Sequence, residues 1–169
     1  MIKRLTVLLL FLITITSANA QKTLSNNSQI SILTCSPGHE LYSTFGHTAI
    51  RVTDFDNKFD WVFNYGTFNF MEPNFYGHFI QGRLNYMLTI EEFKSFSYSY
   101  SNDKRDVFEQ ILTLTNDEKQ QIFSFLMWNA QDENKYYLYD FFWDNCATRV
   151  RDIFMDLFGD SLVFPERKW

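Results

Sequence analysis

The stretch "WDNCATRVRDIFMDLFGD", residues 143–160, sets Cys146 directly after Asn145 and ahead of an apolar pattern with helical spacing. Val150, Ile153, Phe154, Leu157 and Phe158 repeat at i, i+3, i+4, i+7 and i+8, and Gly159 stands where such a helix ends. Asn145 is a strong N-cap type, so Cys146 is expected in the first helical turn, off the buried stripe that those five residues define. The unpaired N–H groups and partial positive charge of a helix N-terminus lower a thiol pKa and can donate to an oxyanion. Asp140 and Asp144 nearby work against a second anion. The chemistry open to such a cysteine is attack on an acyl carbon.

That chemistry needs a base, and the chain has three histidines, His39, His47 and His78. His39 follows a Pro-Gly turn and is expected at the surface; His78 sits among Tyr76, Phe79 and Ile80 and is expected to pack. His47, in "YSTFGHTAIRV", opens a strand pattern beside Gly46 and is the preferred base for Cys146. A third polar group usually fixes the imidazole tautomer. The next strand pattern, "WVFNYG", supplies Asn64 and Tyr65 on opposite faces, and Asn64 is preferred because its amide oxygen accepts from an imidazole N–H. Tyr42, Tyr65 and Asn145 are the expected substrate contacts. No metal signature and no phosphate loop is present in the sequence, so neither a metal nor a cofactor is expected.

The elements that position these residues read as α+β. Strands are expected over 30–35, 47–52 and 61–66, the last two as an antiparallel pair across the turn residues "TDFDN". A short helix is expected over 72–83, a strand over 84–89, a helix over 90–101 and a strand over 106–114. Thr115 and Glu118 form a capping-box pattern for the next helix, whose face carries Ile122, Phe123, Leu126 and Ala130. Residues 135–142 read as an extended run leading into the cysteine.

Residues 1–20, with Lys3 and Arg4 ahead of an apolar run and a small-residue close at Ala18-Asn19-Ala20, read as a secretory signal peptide, which makes the mature protein exported or periplasmic. Residues 21–29 read as a disordered lead-in, and 30–169 as a single domain. The chain carries a net charge of −5 without a basic cluster, which argues against nucleic acid and against anionic lipid as electrostatic partners. With 19 Phe, 9 Tyr and 4 Trp, its aromatics fill a core, line an apolar or sugar-binding cleft, or do both. Two cysteines in an exported chain also fit a Cys35–Cys146 disulfide, which would remove the nucleophile and leave a stapled, non-catalytic binding domain.

Several separate motifs, "LTCSPGHELYSTFGHTAIRV", "VFNYGTFNF", "PNFYGHFIQGRLNYML" and "YYLYDFFWDNCATRVRDIF", resemble the Lnb N-terminal periplasmic domain family over residues 30–164. The resemblance implies a circularly permuted papain-like or NlpC-like fold, in which a sheet bearing the histidine precedes the cysteine helix. It also implies the chemistry of the family's lipoprotein intramolecular transacylases: Cys146 and His47 pass an acyl chain through a thioester to an amine, with a lipid or lipoprotein acyl ester as substrate and peripheral contact with a membrane. A cysteine amidase acting on cell-wall peptides is the alternative that such a fold also hosts. Relatives commonly continue into further domain and membrane helices, so a short form or a truncated product is also expected to fit this sequence.

Overall fold

The computed structural model describes residues 22–69, 71, 73–74, 77–78 and 81–162. Among these, three α-helices pack on one six-stranded antiparallel sheet. In chain order the elements are β1 (Ser28–Cys35), β2 (His47–Asp54), β3 (Phe59–Phe68), β4 (Asn85–Glu92), α1 (Phe93–Asn102), β5 (Val107–Ile111), α2 (Asn116–Asn129), β6 (Tyr136–Leu138) and α3 (Cys146–Phe158). The spatial order is β5-β1-β2-β3-β4-β6. The expected signal segment lies outside the described residues, as do residues 72, 75, 76, 79 and 80 of the helix expected over 72–83.

Both faces of the sheet are covered, and the period-2 alternation of β2 and β3 divides their residues between them. Ile50, Val52, Phe63 and Tyr65 face one way, where Ile122, Phe123 and Leu126 of α2 and Val150, Ile153 and Phe154 of α3 close the larger core. Ala49 and Val62 face the other way, with Leu33 and Cys35 of β1, against Phe96 of α1. Each large side chain buried in this way contributes about 1.5–3 kcal/mol. On the α1 face Arg51 binds Asp60 through two hydrogen bonds of 2.7 and 2.6 Å, reaches Glu109 at 2.9 Å and lies 3.5 Å from the centre of the Phe93 ring.

Helix starts follow their caps. Thr115 and Glu118 make the reciprocal capping box ahead of α2, and Asn145 accepts from the N–H groups of Ala147 and Thr148 ahead of α3. Three expectations need correction. Strand β4 runs on to Glu92 in register with β3, where Trp61 faces Glu92, so residues 90–92 are strand and α1 starts only at Phe93. Strand β5 ends at Ile111, ahead of the Thr115 cap.

The third correction concerns the lead-in. β1 begins at Ser28, and the residues before it are held rather than disordered. Lys22 lies over the rings of Phe59 and Trp61, Leu24 packs on the larger core, and Ser25 donates to both carboxylate oxygens of Asp54, at 2.8 Å from its N–H and 2.7 Å from its hydroxyl. Asn57 adds two more donors to the same carboxylate. Polar composition made this segment read as loose, whereas the buried Asp54, at the far end of β2, gives it a partner.

Burial alone would raise the Asp54 carboxyl, yet the donors from Ser25 and Asn57 outweigh it and hold the pKa at about 2. A depressed carboxyl pKa adds stability above its unfolded value, near 3.9, and loses it as the pH falls through the folded value. Asp54→Ala is expected to lower unfolding free energy by about 2 kcal/mol at neutral pH, because it strands the Ser25 and Asn57 donors. The gap from the native protein should shrink as the pH drops from about 4 to about 2 in urea titrations.

Candidate active site

His47 and Asn64 project from the α1 face, since they alternate in step with Ala49 and Val62, while Cys146 opens α3 on the opposite face of the sheet. They meet at Gly66. The pairing of β3 with β4 slips between Asn64 and Thr67, and Gly66 there has a φ of +85°. A Cβ at this position would lie 3.6 Å from Cys146 Cβ and 3.7 Å from His47 Cε1. Those are ordinary contact distances, so it is the positive φ that favours glycine here, and both His47 and Cys146 lie beside this residue. Gly46, next to the histidine, is required for a different reason: its φ is +78°, and a Cβ would sit 2.6 Å from the Cys35 carbonyl oxygen.

His47 Nε2 lies 2.5 Å from Asn64 Oδ1. The amide oxygen can only accept, so Nε2 carries the proton and Nδ1 is left with its lone pair. Burial pushes the imidazole pKa below its usual range; the Asn64 hydrogen bond opposes this and the Arg105 guanidinium adds to it. Burial likewise pushes the Cys146 thiol up, and the nearby backbone N–H groups of Thr48, Ala147 and Cys146 itself oppose this without outweighing it.

The expectation that the helix terminus lowers the thiol pKa is therefore corrected: desolvation wins, and Asp140 and Asp144 are not what opposes the thiolate. Asp144 is occupied by a two-pronged pair with Arg149, and Asp140 accepts from the N–H groups of Phe142 and Trp143. Nor is Cys146 off the buried stripe. It stands one turn before Val150, on the same helical face, and packs half-buried against the larger core. Burial therefore disfavours the charged form of both groups, the thiolate of Cys146 and the imidazolium of His47.

Both cysteines are free in this structure. Cys35 is directly opposite His47 on the neighbouring strand, is 3% exposed and is pushed up to about 11 by burial. It behaves as a packed core residue.

A cavity of about 450 Å³ opens beside Cys146 and His47. Leu41, Tyr42 and Phe45 from the loop before β2, Phe68 and Tyr86 from the sheet, and Tyr139 and Phe141 from the run before α3 line it. The rings brace one another: Tyr86 stacks on Tyr139 at 4.3 Å between centroids, Phe68 meets Tyr86 edge-on at 5.2 Å, and Phe45 meets Phe141 at 4.6 Å. No aspartate or glutamate is among the described lining residues.

Tyr42 is placed in this wall, and Asn145 reaches the cavity but spends its amide on the helix cap and on the Phe141 carbonyl, so it holds the cysteine loop rather than offering a free substrate contact. Tyr65 does not reach the cavity. It is 1% exposed in the larger core, donating to Asn129 at 2.5 Å, because odd-numbered residues of β3 face α2 and α3. Sequence reasoning missed Tyr86 and Tyr139, whose role emerges only when β4 and the run before α3 lie side by side. Among the described residues no group of His, Cys, Asp and Glu could hold a metal ion, and no helix is long and apolar enough to cross a membrane.

Residues 16–163 match the model of the Lnb N-terminal periplasmic domain, and the chain belongs to that family. No curated protein and no solved structure matches it.

Because the thiol is raised and the imidazole lowered, alkylation of Cys146 by iodoacetamide should climb as the pH rises past the ordinary thiol range near 8.5. The rate should show no plateau at neutral pH; a plateau there would identify a preformed thiolate–imidazolium pair. Mass mapping of the alkylated peptide separates Cys146 from Cys35, which should react far more slowly.

Proposed function

We propose that this exported member of the Lnb N-terminal periplasmic domain family is a cysteine-dependent acyltransferase or hydrolase that acts on lipid acyl esters. One observation carries the reading: Cys146 and His47, the latter hydrogen-bonded to Asn64, line one cavity walled mainly by aromatic and aliphatic side chains, with no carboxylate among its described lining residues to receive the amines of a peptide. In the reaction His47 Nδ1 takes the Cys146 proton as the sulfur bonds to the ester carbonyl carbon. The alcohol leaves with that proton and an acyl thioester remains. Attack by an amine gives an amide, or attack by water gives a fatty acid, and the thiol is restored. A backbone N–H at the start of α3, such as that of Cys146, would be the donor to the developing oxyanion. The papain-like arrangement of the family resemblance accords with this order of a histidine strand followed by a cysteine helix.

The surroundings of the cavity support a lipid source. Leu41 and Phe45 are 71% and 76% exposed on one loop, Phe142 and Trp143 74% and 81% on the other, and Phe45 and Phe141 join the loops at the mouth. Residues 39–45 and 139–145 contain Glu40, Asp140 and Asp144 and no lysine or arginine. Peripheral contact with a membrane would thus come from apolar insertion of these side chains and not from attraction to anionic headgroups.

Intact-mass analysis of the unreduced protein after exposure to a phospholipid carrying an activated acyl ester is the test. A single acyl adduct should form, map to Cys146, and disappear in Cys146→Ala and in His47→Ala while persisting in Cys35→Ala. An adduct retained in Cys146→Ala overturns the reading, as does an unreduced mass showing the two cysteines bridged. In a separate experiment, Phe142→Ser with Trp143→Ser should weaken sedimentation with phosphatidylethanolamine vesicles about tenfold, which corresponds to roughly 1.4 kcal/mol. Capture of a short water-soluble activated ester by Cys146 should be unaffected by that pair of changes.

A further inference from the structure

Asn64 can orient His47 in two ways, and which one holds decides the reaction. An amide that turns its oxygen to the imidazole fixes the proton on Nε2 and leaves Nδ1 as a base. An amide that turns its NH2 group to the imidazole demands a lone pair on Nε2 and puts the proton on Nδ1, where it blocks transfer from Cys146. Nothing intrinsic to an asparagine side chain prefers either face.

The choice is made by β4. Asn64 Nδ2 donates to Glu91 Oε1 at 3.1 Å. An ionised carboxylate only accepts, so the NH2 group must face Glu91 and the oxygen must face His47. Glu91 reaches this place because β4 continues to Glu92. Glu91 stands directly opposite Val62, two residues along β3 from Asn64 and on the same face. That diagonal spacing is within reach of a long side chain. Glu91 does not line the cavity beside Cys146 and has no role in binding there.

We propose that Glu91 is a positioning residue that, by holding the Asn64 amide in one orientation, selects the His47 tautomer with Nδ1 free to accept the Cys146 proton. The inference rests on the Cys146–His47 reading for its functional meaning, but the tautomer itself is observable without substrate.

The experiment is 15N spectroscopy of the histidine-labelled protein, with assignment of the His47 ring by comparison with His47→Gln. The native protein should show a single tautomer with Nε2 protonated. Glu91→Ala should give a mixture of both tautomers and slow alkylation of Cys146 by about tenfold, part of the roughly 10²–10⁴-fold that a general base contributes. Glu91→Gln, which can still present an oxygen, should recover most of the native state. Glu91→Ala combined with Asn64→Asp should recover the Nε2-protonated tautomer without Glu91, since a carboxylate at position 64 can only accept; a lost contact that merely loosened the fold would not be repaired by it.

A single Nε2-protonated tautomer that persists in Glu91→Ala overturns the proposal. So does a mixture in the native protein. Acyl capture that survives Cys146→Ala would overturn the functional reading alone, leaving the tautomer assignment standing, so the two failures are told apart.

Discussion

The site depends on an irregularity in the sheet. His47 and Asn64 belong to the face covered by α1, and Cys146 to the face covered by α3, yet His47 and Cys146 both lie beside the slipped stretch of β3. At that point Gly66 takes a φ of +85°, which favours glycine, with both side chains in van der Waals reach of its position. Much of the surrounding structure serves this meeting: the Asn145 cap fixes where α3 begins, Gly46 lets the loop run beneath the Cys35 carbonyl into His47, and the two cores hold the helices against opposite faces. Bulges of this kind re-aim side chains near functional sites, and here the re-aiming joins two layers.

The meeting is made under desolvation. A helix N-terminus offers the cysteine partial positive charge and three nearby N–H groups, yet the thiol is raised because its burial outweighs them. The same burial lowers the imidazole. Proton transfer in such a pair separates charge only when an acyl group is present to take up the sulfur. An apolar cavity suits that order of events, since the ligand that displaces water also completes the environment in which the N–H groups act most strongly.

Strong local signals were legible in the sequence. Alternation in "HTAIRV" and "WVFNYG" located β2 and β3 and separated Asn64 from Tyr65, and the Thr115–Glu118 and Asn145 caps located α2 and α3. What escaped was nonlocal. "IEEFKSF" has helical spacing of its own, but pairing with β3 draws its first three residues into β4, and this is what brings Glu91 beside Asn64. The polar lead-in had no visible reason to be ordered until Asp54 was found buried at the end of β2. Cys146 was read as outside the apolar stripe because the stripe was counted from Val150 onward; one turn earlier on the same face, the cysteine belongs to it. The balance between helix terminus and burial also cannot be judged from a string of residues, because it depends on what the other layers place over the sulfur.

Strand β2 begins at His47 and ends at Asp54, eight residues in an extended conformation, or about 25 Å. The first described residues of the chain are fastened at the Asp54 end, and the cavity opens at the His47 end. The molecule therefore has two poles, one where the polypeptide enters and one where its apolar loops project. A tether attached at Lys22 would therefore sit about a strand's length from the thiol, and immobilising the protein through that residue leaves the opposite pole facing the solution.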